Sequence, residues 1–442
     1  MKALINANIF DFSSYSENKY VLFNSEILEV GPMSEFKGAD GVIDCTGCIV
    51  MPGLINCHTH IYSTFARGMN LSFNPKNFKD ILDEFWWKLD RECNKASMHY
   101  SGLVNGYECI SNGVTTVIDH HASGTDITGT LNELKKSVCD EVGIRGVFCF
   151  ETSDRFDTNQ CMEENLNFAS NRTEKSAGLF GMHASMSLND KTLKKISEVV
   201  EDLPIHIHVA ESAEDENDCN NKYGITVIER LQKFNLLKEN SILAHCVHIN
   251  EVEAEIIAKA KVFVAINPTS NMNNAVGLPN YKLLKEKNIP CIIGNDGLGT
   301  NITREYLNIF FAMKNRLNNP VAFSLEDLKE VILNGYKCVA NTLGIRLGRI
   351  KQGYKADMSI TAYNAPTSIN QNNAFAHVFY GVFDNFHPRE VYCDGNCLMK
   401  NYNTSVEIKN IYSKAQGEAD RLWERVEKSE SACLKGKSTV DN

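Results

Sequence analysis

Residues 48–60 read CIVMPGLINCHTH, an apolar run that ends in two histidines one residue apart. Side chains two apart on a strand share a face, so His58 and His60 are predicted to project together. An H-x-H pair arises by chance in many chains, and its weight here comes from its place at the end of a strand. Seven more runs rich in Val, Ile and Phe follow: GVTTVIDHH (113–121), IRGVFCFETS (144–153), GLFGMHAS (178–185), PIHIHVAES (204–212), SILAHCVH (241–248), KVFVAINPTS (261–270) and PCIIGNDG (290–297). Each closes on a residue capable of chemistry. After His58 and His60 come Asp119 to His121, Glu151, His183, His208 with Glu211, His245, Asn267 and Asp296.

Segments with helical spacing lie between most of these runs, among them LNELKKSVCDEV, DKTLKKISEVVEDL, GITVIERLQKF and NEVEAEIIAKA. Strand alternating with helix predicts parallel strands joined by crossovers. Eight such units are the number that closes a TIM barrel, so the predicted fold class is α/β, a (β/α)8 barrel. A buried parallel strand is expected to be apolar throughout. Polar groups at eight C-terminal ends make sense if those ends form one site, which is where barrel enzymes place theirs.

The flanks have another texture. KALINANIF, KYVLF, EILEVG and GVIDCTGCIV before the barrel, and GRIKQGYKADMSITAY and PREVYCDGNCLMKN after it, read as short strands separated by turns. Both chain ends are therefore expected to build one small β-sandwich. The predicted division is 1–52 and 348–405 for the sandwich, 53–347 for the barrel and 406–442 for a terminal helix and tail. Within the last segment, residues 407–430 place Ile408, Ile411, Ala415, Leu422 and Val426 on one side of a helix, and the final dozen residues are expected to be loose. The stretch 61–112 is long for one crossover. Its helix-like KDILDEFWWKLDREC, with adjacent Trp86 and Trp87, is a candidate lid or substrate wall, against the plainer reading of core packing.

Composition bounds the rest. A chain of 442 residues with 43% hydrophobic and 23% charged residues suits one large globular domain and a smaller one. The net charge of −10 speaks against a nucleic-acid partner. Fifteen scattered cysteines, an odd number, read as reduced thiols in a cytoplasmic protein. Cys45 and Cys48, with Cys393 and Cys397, make a structural zinc site only if the chain ends meet. The opening MKALINANIFDFSS is a poor signal peptide and a good first strand. No window approaches the 18 apolar residues of a membrane span.

The strand-end residues define a metal site. His58, His60, His208 and Asp296 are predicted to hold one divalent ion, because a carboxylate at the end of a buried strand needs a partner. Imidazole suits zinc and iron better than magnesium or calcium, and zinc is expected ahead of iron. Three histidines, an aspartate and a water describe a catalytic rather than a closed structural site. His206 is expected behind the ligands. Glu211 follows His208 by three residues, where strand gives way to loop, and is placed to shuttle protons. His245 is placed to stabilise developing charge, and Asp296 to accept a proton while ligating.

These residues resemble the pattern of the amidohydrolase superfamily, and the chain looks like its cytosine-deaminase and chlorohydrolase branch. The phrases that carry the likeness are MPGLINCHTH, GVTTVIDH, HVAES, LAHCVH, PTSN, GNDGLGTN and LGRIKQGYKADMSI, spanning residues 50 to 360 or so. Within the branch, FETSDR (150–155) is similar to the SsnA-type aminohydrolases. The resemblance implies a homodimer and hydrolysis of a non-peptide C–N bond, by deamination or ring opening of a cyclic amidine in a purine-like heterocycle. Binuclear members bridge two metals through a lysine at the end of the fourth strand. Here that strand ends in His183, which favours one metal and a substrate contact. His183, Glu151, Arg155 and His121 are the expected substrate-binding residues. The alternatives are a binuclear cyclic-amide hydrolase, opposed by the missing lysine, and a non-catalytic scaffold, opposed by the complete ligand set. Asn267 stands where the branch usually has cysteine before proline.

Overall fold

The run at 48–60 folds as two strands rather than one, and the break falls at Gly53. A side chain at Gly53 would place its Cβ 2.2 Å from Thr115 Oγ1, so only glycine lets the chain pass this close to its neighbour. The computed structural model describes residues 1–404 and 408–438, with side chains through residue 431.

The first five strands are β1 (Lys2–Phe10), β2 (Tyr15–Phe23), β3 (Ile27–Pro32), β4 (Gly41–Asp44) and β5 (Cys48–Pro52). The site-bearing strands follow as β6 (Leu54–Thr59), β7 (Val114–His121), β8 (Arg145–Phe150), β9 (Ser176–Gly178), β10 (Phe180–Ala184), β11 (Ile205–Val209), β12 (Ile242–His245), β13 (Phe263–Ile266) and β14 (Cys291–Ile293). The last four are β15 (Met358–Ala362), β16 (Glu390–Cys393), β17 (Asn396–Lys400) and β18 (Asn403–Thr404).

Strands from both chain ends share one nine-stranded sheet, ordered β18-β17-β16-β15-β5-β1-β2-β3 with β4 beside β1. Its central joint is antiparallel, with Met358 opposite Pro52 and Ala362 opposite Cys48. It has an apolar core of its own, which includes Leu4, Val21, Phe23, Val50, Met358 and Ile360.

The middle of the chain is α/β with two parallel sheets, β6-β7-β8-β9 and β10-β11-β12-β13-β14. The GLFGMHAS run divides between them, β9 ending the first sheet and β10 starting the second. Isolated parallel bridges tie the sheets at two places, Thr59 to Asp296 and Thr152 to Met182. Every residue of β6, β7, β8 and β10 to β14 is buried, as expected for parallel strands covered on both faces. Helices intervene between the strands, for example Asp190–Val199 and Glu251–Ala260, whose first turns are capped by Asn189 and Asn250.

Arg145, at the start of β8, is fully buried and joins the parallel sheet to the nine-stranded one. Its Nε and Nη2 donate to Asp357 at 2.9 and 3.1 Å, and Nη2 also reaches Asp394 at 2.7 Å. The last helix runs Ile408–Ser438, eight residues past the predicted end. The predicted loose tail is thus helical as far as Ser438, while 439–442 and the predicted junction at 405–407 lie outside the described residues. Ala415, Leu422 and Val426 are buried, and Trp423 Nε1 donates to Phe65 O at 2.8 Å. No helix among the described residues is long and apolar enough to cross a membrane.

Candidate active site

His58 and His60 leave β6 on one face, as the two-residue period requires, and His208 and His206 do the same on β11. The four strand ends converge. His60 Nε2 lies 2.9 Å from Asp296 Oδ1 and 3.1 Å from His208 Nε2, and His58 Nε2 lies 3.3 Å from the same Asp296 oxygen. His58, His208, His245 and Asp296 each bring one ligand atom to within 4.8 Å of all the others.

Each imidazole is held from behind. His60 Nδ1 donates to the His120 carbonyl at 2.7 Å, and His208 Nδ1 to the His183 carbonyl at 2.9 Å. His58 Nδ1 meets His206 Nε2 at 2.8 Å, which gives His206 the supporting place expected for it. A proton fixed on Nδ1 leaves Nε2 as a lone pair aimed at the centre. Burial pushes the His58 pKa down to about 4, so its ring is neutral. Its Nε2 is buried with no hydrogen-bond partner.

Asp296 lies three residues beyond β14, at φ 55°. Ser270 donates to its Oδ2, which leaves Oδ1 for the centre. His245 has φ 74°, and its Nδ1 donates to Asn271 Oδ1 at 2.8 Å. Its Nε2 is then a base in the neutral ring and a donor in the protonated one. Glu211 Oε2 faces that nitrogen at 3.5 Å, and Asn274 Nδ2 donates to Oε1 at 3.3 Å. Burial pushes the Glu211 pKa up, so this carboxyl can carry a proton near neutral pH.

A cavity opens over this cluster. Trp86, Trp87, Phe78 and Leu82 from the 61–112 stretch wall it, and His183, Glu151 and Glu211 line it. Both tryptophans line the cavity, and Trp86 also packs against the hydrophobic core, so the wall and packing expectations are met together. His183 Nδ1 meets Ser187 Oγ at 2.6 Å, and its Nε2 faces Glu151 at 4.0 Å.

A family model described as "Amidohydrolase family" matches residues 49–398. The chain belongs to the amidohydrolase family. A 5'-deoxyadenosine deaminase of Methanococcus maripaludis is 28% identical, covering 85% of this chain and 89% of its own length. A 5-methylthioadenosine/S-adenosylhomocysteine deaminase of Dictyoglomus turgidum is 27% identical, covering 90% of this chain and 94% of its own. Among solved structures, a zinc-bound adenosine deaminase from Xanthomonas campestris superposes with a TM-score of 0.81 at 19% identity, covering 95% of this chain and 98% of that one.

The donor set of this amidohydrolase fits one divalent metal ion. Pre-oriented imidazoles, His58 neutral through burial and His60 pushed up to about 9, against its burial, by Asp296, make with that one carboxylate, around an orphaned buried nitrogen, the donor set such an ion needs. Among the described residues, the side-chain sets able to hold a metal all belong to this cluster. The two cysteine pairs do not join them: Cys45 and Cys48 Sγ point to the carbonyls of Ile43 and Thr46, and Cys393 Sγ to that of Thr115.

Two expected substrate residues stand elsewhere in the amidohydrolase. His121 alternates out of the cluster and bonds Ser123 Oγ at 2.9 Å, away from the cavity lining. The strand period explains it: His120, one residue earlier, faces His60 and His208 and with them forms a second possible ligand group. Arg155 lies behind Trp87, engaged by Asp90 and Glu151. Sequence reasoning also passed over Ser270, Asn271 and Asn274. The PTSN phrase is the available signal: the helix Pro268–Asn273 carries Ser270 and Asn271, the partners of Asp296 and His245, and is capped by Asn274, the partner of Glu211.

Proposed function

We propose that the chain is a metal-dependent aminohydrolase that deaminates an aminopurine, free or as a nucleoside. The observation that carries this reading is the convergence of the His58 and His60 Nε2 atoms on Asp296 Oδ1, with His208 Nε2 3.1 Å from that of His60, beside Glu211 and beneath a wall of two tryptophans. In this reading His58, His60, His208 and Asp296 hold one divalent ion, with zinc favoured over iron by the imidazole-rich set and by the zinc in the solved relative. When bound, the ion supplies an acidified water as nucleophile near neutral pH.

The chain's own residues do the rest. Asp296, steadied through Oδ2 by Ser270, accepts a proton. Glu211 receives a proton on the cavity side and delivers it to the departing amino nitrogen. His245, its Nδ1 held by Asn271, presents Nε2 to the atom that gains negative charge at the trigonal carbon. Trp86 and Trp87 offer flat apolar faces to a heterocycle, and His183 and Glu151 offer polar atoms to its edge. The names of the two curated relatives support deamination over ring opening.

The same reading closes the two parallel sheets into one (β/α)8 barrel over 53–347, supported by the bridges between them. It treats 1–52 with 348–405 as a separate β-sandwich and 406–442 as a terminal helix and tail. The superfamily resemblance supports a cytoplasmic homodimer, for which light scattering is the test.

The test of function is a screen of purified protein against aminopurines, oxopurines, their nucleosides and pyrimidines, read by ammonia release and product mass. Loss of NH3 with gain of water is the expected result, and His183→Ala and Glu151→Ala should raise KM with metal content unchanged. Gain of water without ammonia replaces deamination by ring opening. Activity confined to peptides, phosphate esters or acyclic amides refutes the proposal.

A further inference from the structure

Among the described residues, the cavity above the cluster is lined by five carboxylates, Asp90, Glu151, Glu211, Asp215 and Asp296, and by no lysine or arginine; Arg67 and Arg304 line the adjoining cavity beyond Trp86. Asp296 belongs to the metal cluster and Glu211 to proton transfer. Asp215 is saturated by the backbone amides of Ala210 and Met186, at 3.0 and 3.2 Å. Asp90 and Glu151 remain, Glu151 facing His183 Nε2 at 4.0 Å, and Arg155 is the cation that touches them.

Arg155 has no freedom to serve a ligand. Nη1 and Nη2 donate to the two oxygens of Asp90 at 3.1 and 2.9 Å, and Nη2 also donates to Glu151 Oε1. The guanidinium lies over the rings of Trp87 and Phe156, each 4.7 Å from its centroid. A planar group held by a fork of hydrogen bonds and by stacking is positioned, not mobile. One positive charge between two carboxylates leaves the trio net negative. Glu151 Oε2 stays without a hydrogen bond, its nearest charged neighbour being His120 Nδ1 at 3.9 Å. Lys79 also lies over Trp87, at 4.5 Å, and is paired with Asp83.

We propose that this cavity selects aminopurine nucleosides whose sugar and 5' substituent are uncharged or cationic, and rejects those that end in a carboxylate or phosphate, with the Asp90–Arg155–Glu151 trio as the determinant. The inference rests on the aminopurine reading above. Glu151 Oε2 accepts from substrate hydroxyls or N–H groups, and an anion placed there meets a carboxylate with no cation free to answer it. The Dictyoglomus turgidum relative has S-adenosylhomocysteine, a carboxylate-bearing nucleoside, in its name. That molecule pairs its carboxylate with an ammonium and is net neutral near pH 7, so the trio discriminates against it less than against a nucleoside carboxylate or phosphate that has no ammonium.

The test uses the zinc-loaded protein and two matched series. kcat/KM is measured on adenosine, adenosine 5'-carboxylic acid and adenosine monophosphate. Equilibrium binding is measured by calorimetry on the deaminated forms of the same three, which do not turn over. The neutral member should exceed both anionic members by on the order of 100-fold in each readout. A preference below about tenfold in binding, or no nucleoside binding at all, overturns the proposal. Selective binding of the neutral form without turnover leaves the selection standing and removes the deaminase reading instead. Glu151→Gln and Asp90→Asn, checked for folding by Tm, should each shrink the preference at least about fivefold by releasing Arg155 toward the cavity, and Arg155→Met should widen it. A ratio unchanged in all three variants removes the trio as its cause.

Discussion

Asp296 and His245 sit at φ 55° and 74°, in the left-handed region that non-glycine residues avoid. Such conformations cost ~1–3 kcal/mol each and persist where surrounding bonds dictate them. Here Asp296 N donates to His58 O at 2.9 Å, and Asn271 holds the His245 ring. Replacing His58, His60, His208 or Asp296 by Ala should abolish turnover and lower bound metal, and a chelator should do the same until a divalent metal is restored. Asp296→Ala protein with full metal and near-normal rate would remove that residue from the ligand set. Glu211→Gln should keep fold and metal and lose at least ~100-fold in kcat. Metal loss in that variant, read by elemental analysis, would make Glu211 a ligand. The residues that meet at the centre were legible in sequence because each ends an apolar run. The residues behind them were not, because a two-residue period does not say which of two adjacent histidines faces inward. Hence His121 was expected where His120 stands, and Ser270 and Asn271 act through side-chain bonds that no spacing encodes.

At the scale of elements, the order of strands and the segments between them were readable from apolar runs and turn residues. The points where runs break were not. Gly53 divides the first run because Thr115 leaves no room for a side chain, and Leu179 separates β9 from β10 where the chain passes from one sheet to the other. Both are facts about neighbours distant in sequence. The joint made by Arg145 is equally nonlocal. Asp357→Asn leaves a buried guanidinium short of a counter-charge and should destabilise the protein by about 3–5 kcal/mol, with the apparent binding of divalent metal to the folded protein unchanged. Denaturant unfolding checks it, and a change under about 1 kcal/mol would show that Asp394 and the Glu174 carbonyl suffice.

At the scale of the molecule, the last helix holds the wall of the cavity. Arg425 Nε donates to Glu92 O at 3.1 Å, and buried Glu418 accepts from Ser97 Oγ at 3.1 Å, so the helix grips the segments that carry Trp86, Trp87 and Asp90. A chain ending at residue 404 should keep its metal and lose about 10- to 100-fold in kcat/KM, through KM more than kcat. Trp423→Ala, which removes the bond to Phe65, should move the same way by less, and unchanged KM in both would leave the helix a purely stabilising role. The nine-stranded sheet has a consequence in time. The free edge of β5 waits for β15, so Pro52 must stay without its partner until Met358 has been synthesised. At ~5–20 residues per second, the roughly 300 residues between them occupy the ribosome for about 15–60 s. An open strand edge recruits other strands for as long as it stays open. Nascent chains stalled before residue 358 should therefore be cut by protease within β1 to β5, and those stalled well beyond residue 400 should not. Slower, cooler synthesis lengthens that wait, so yield of this protein should depend on what shields the edge during translation more than on the stability of the finished fold.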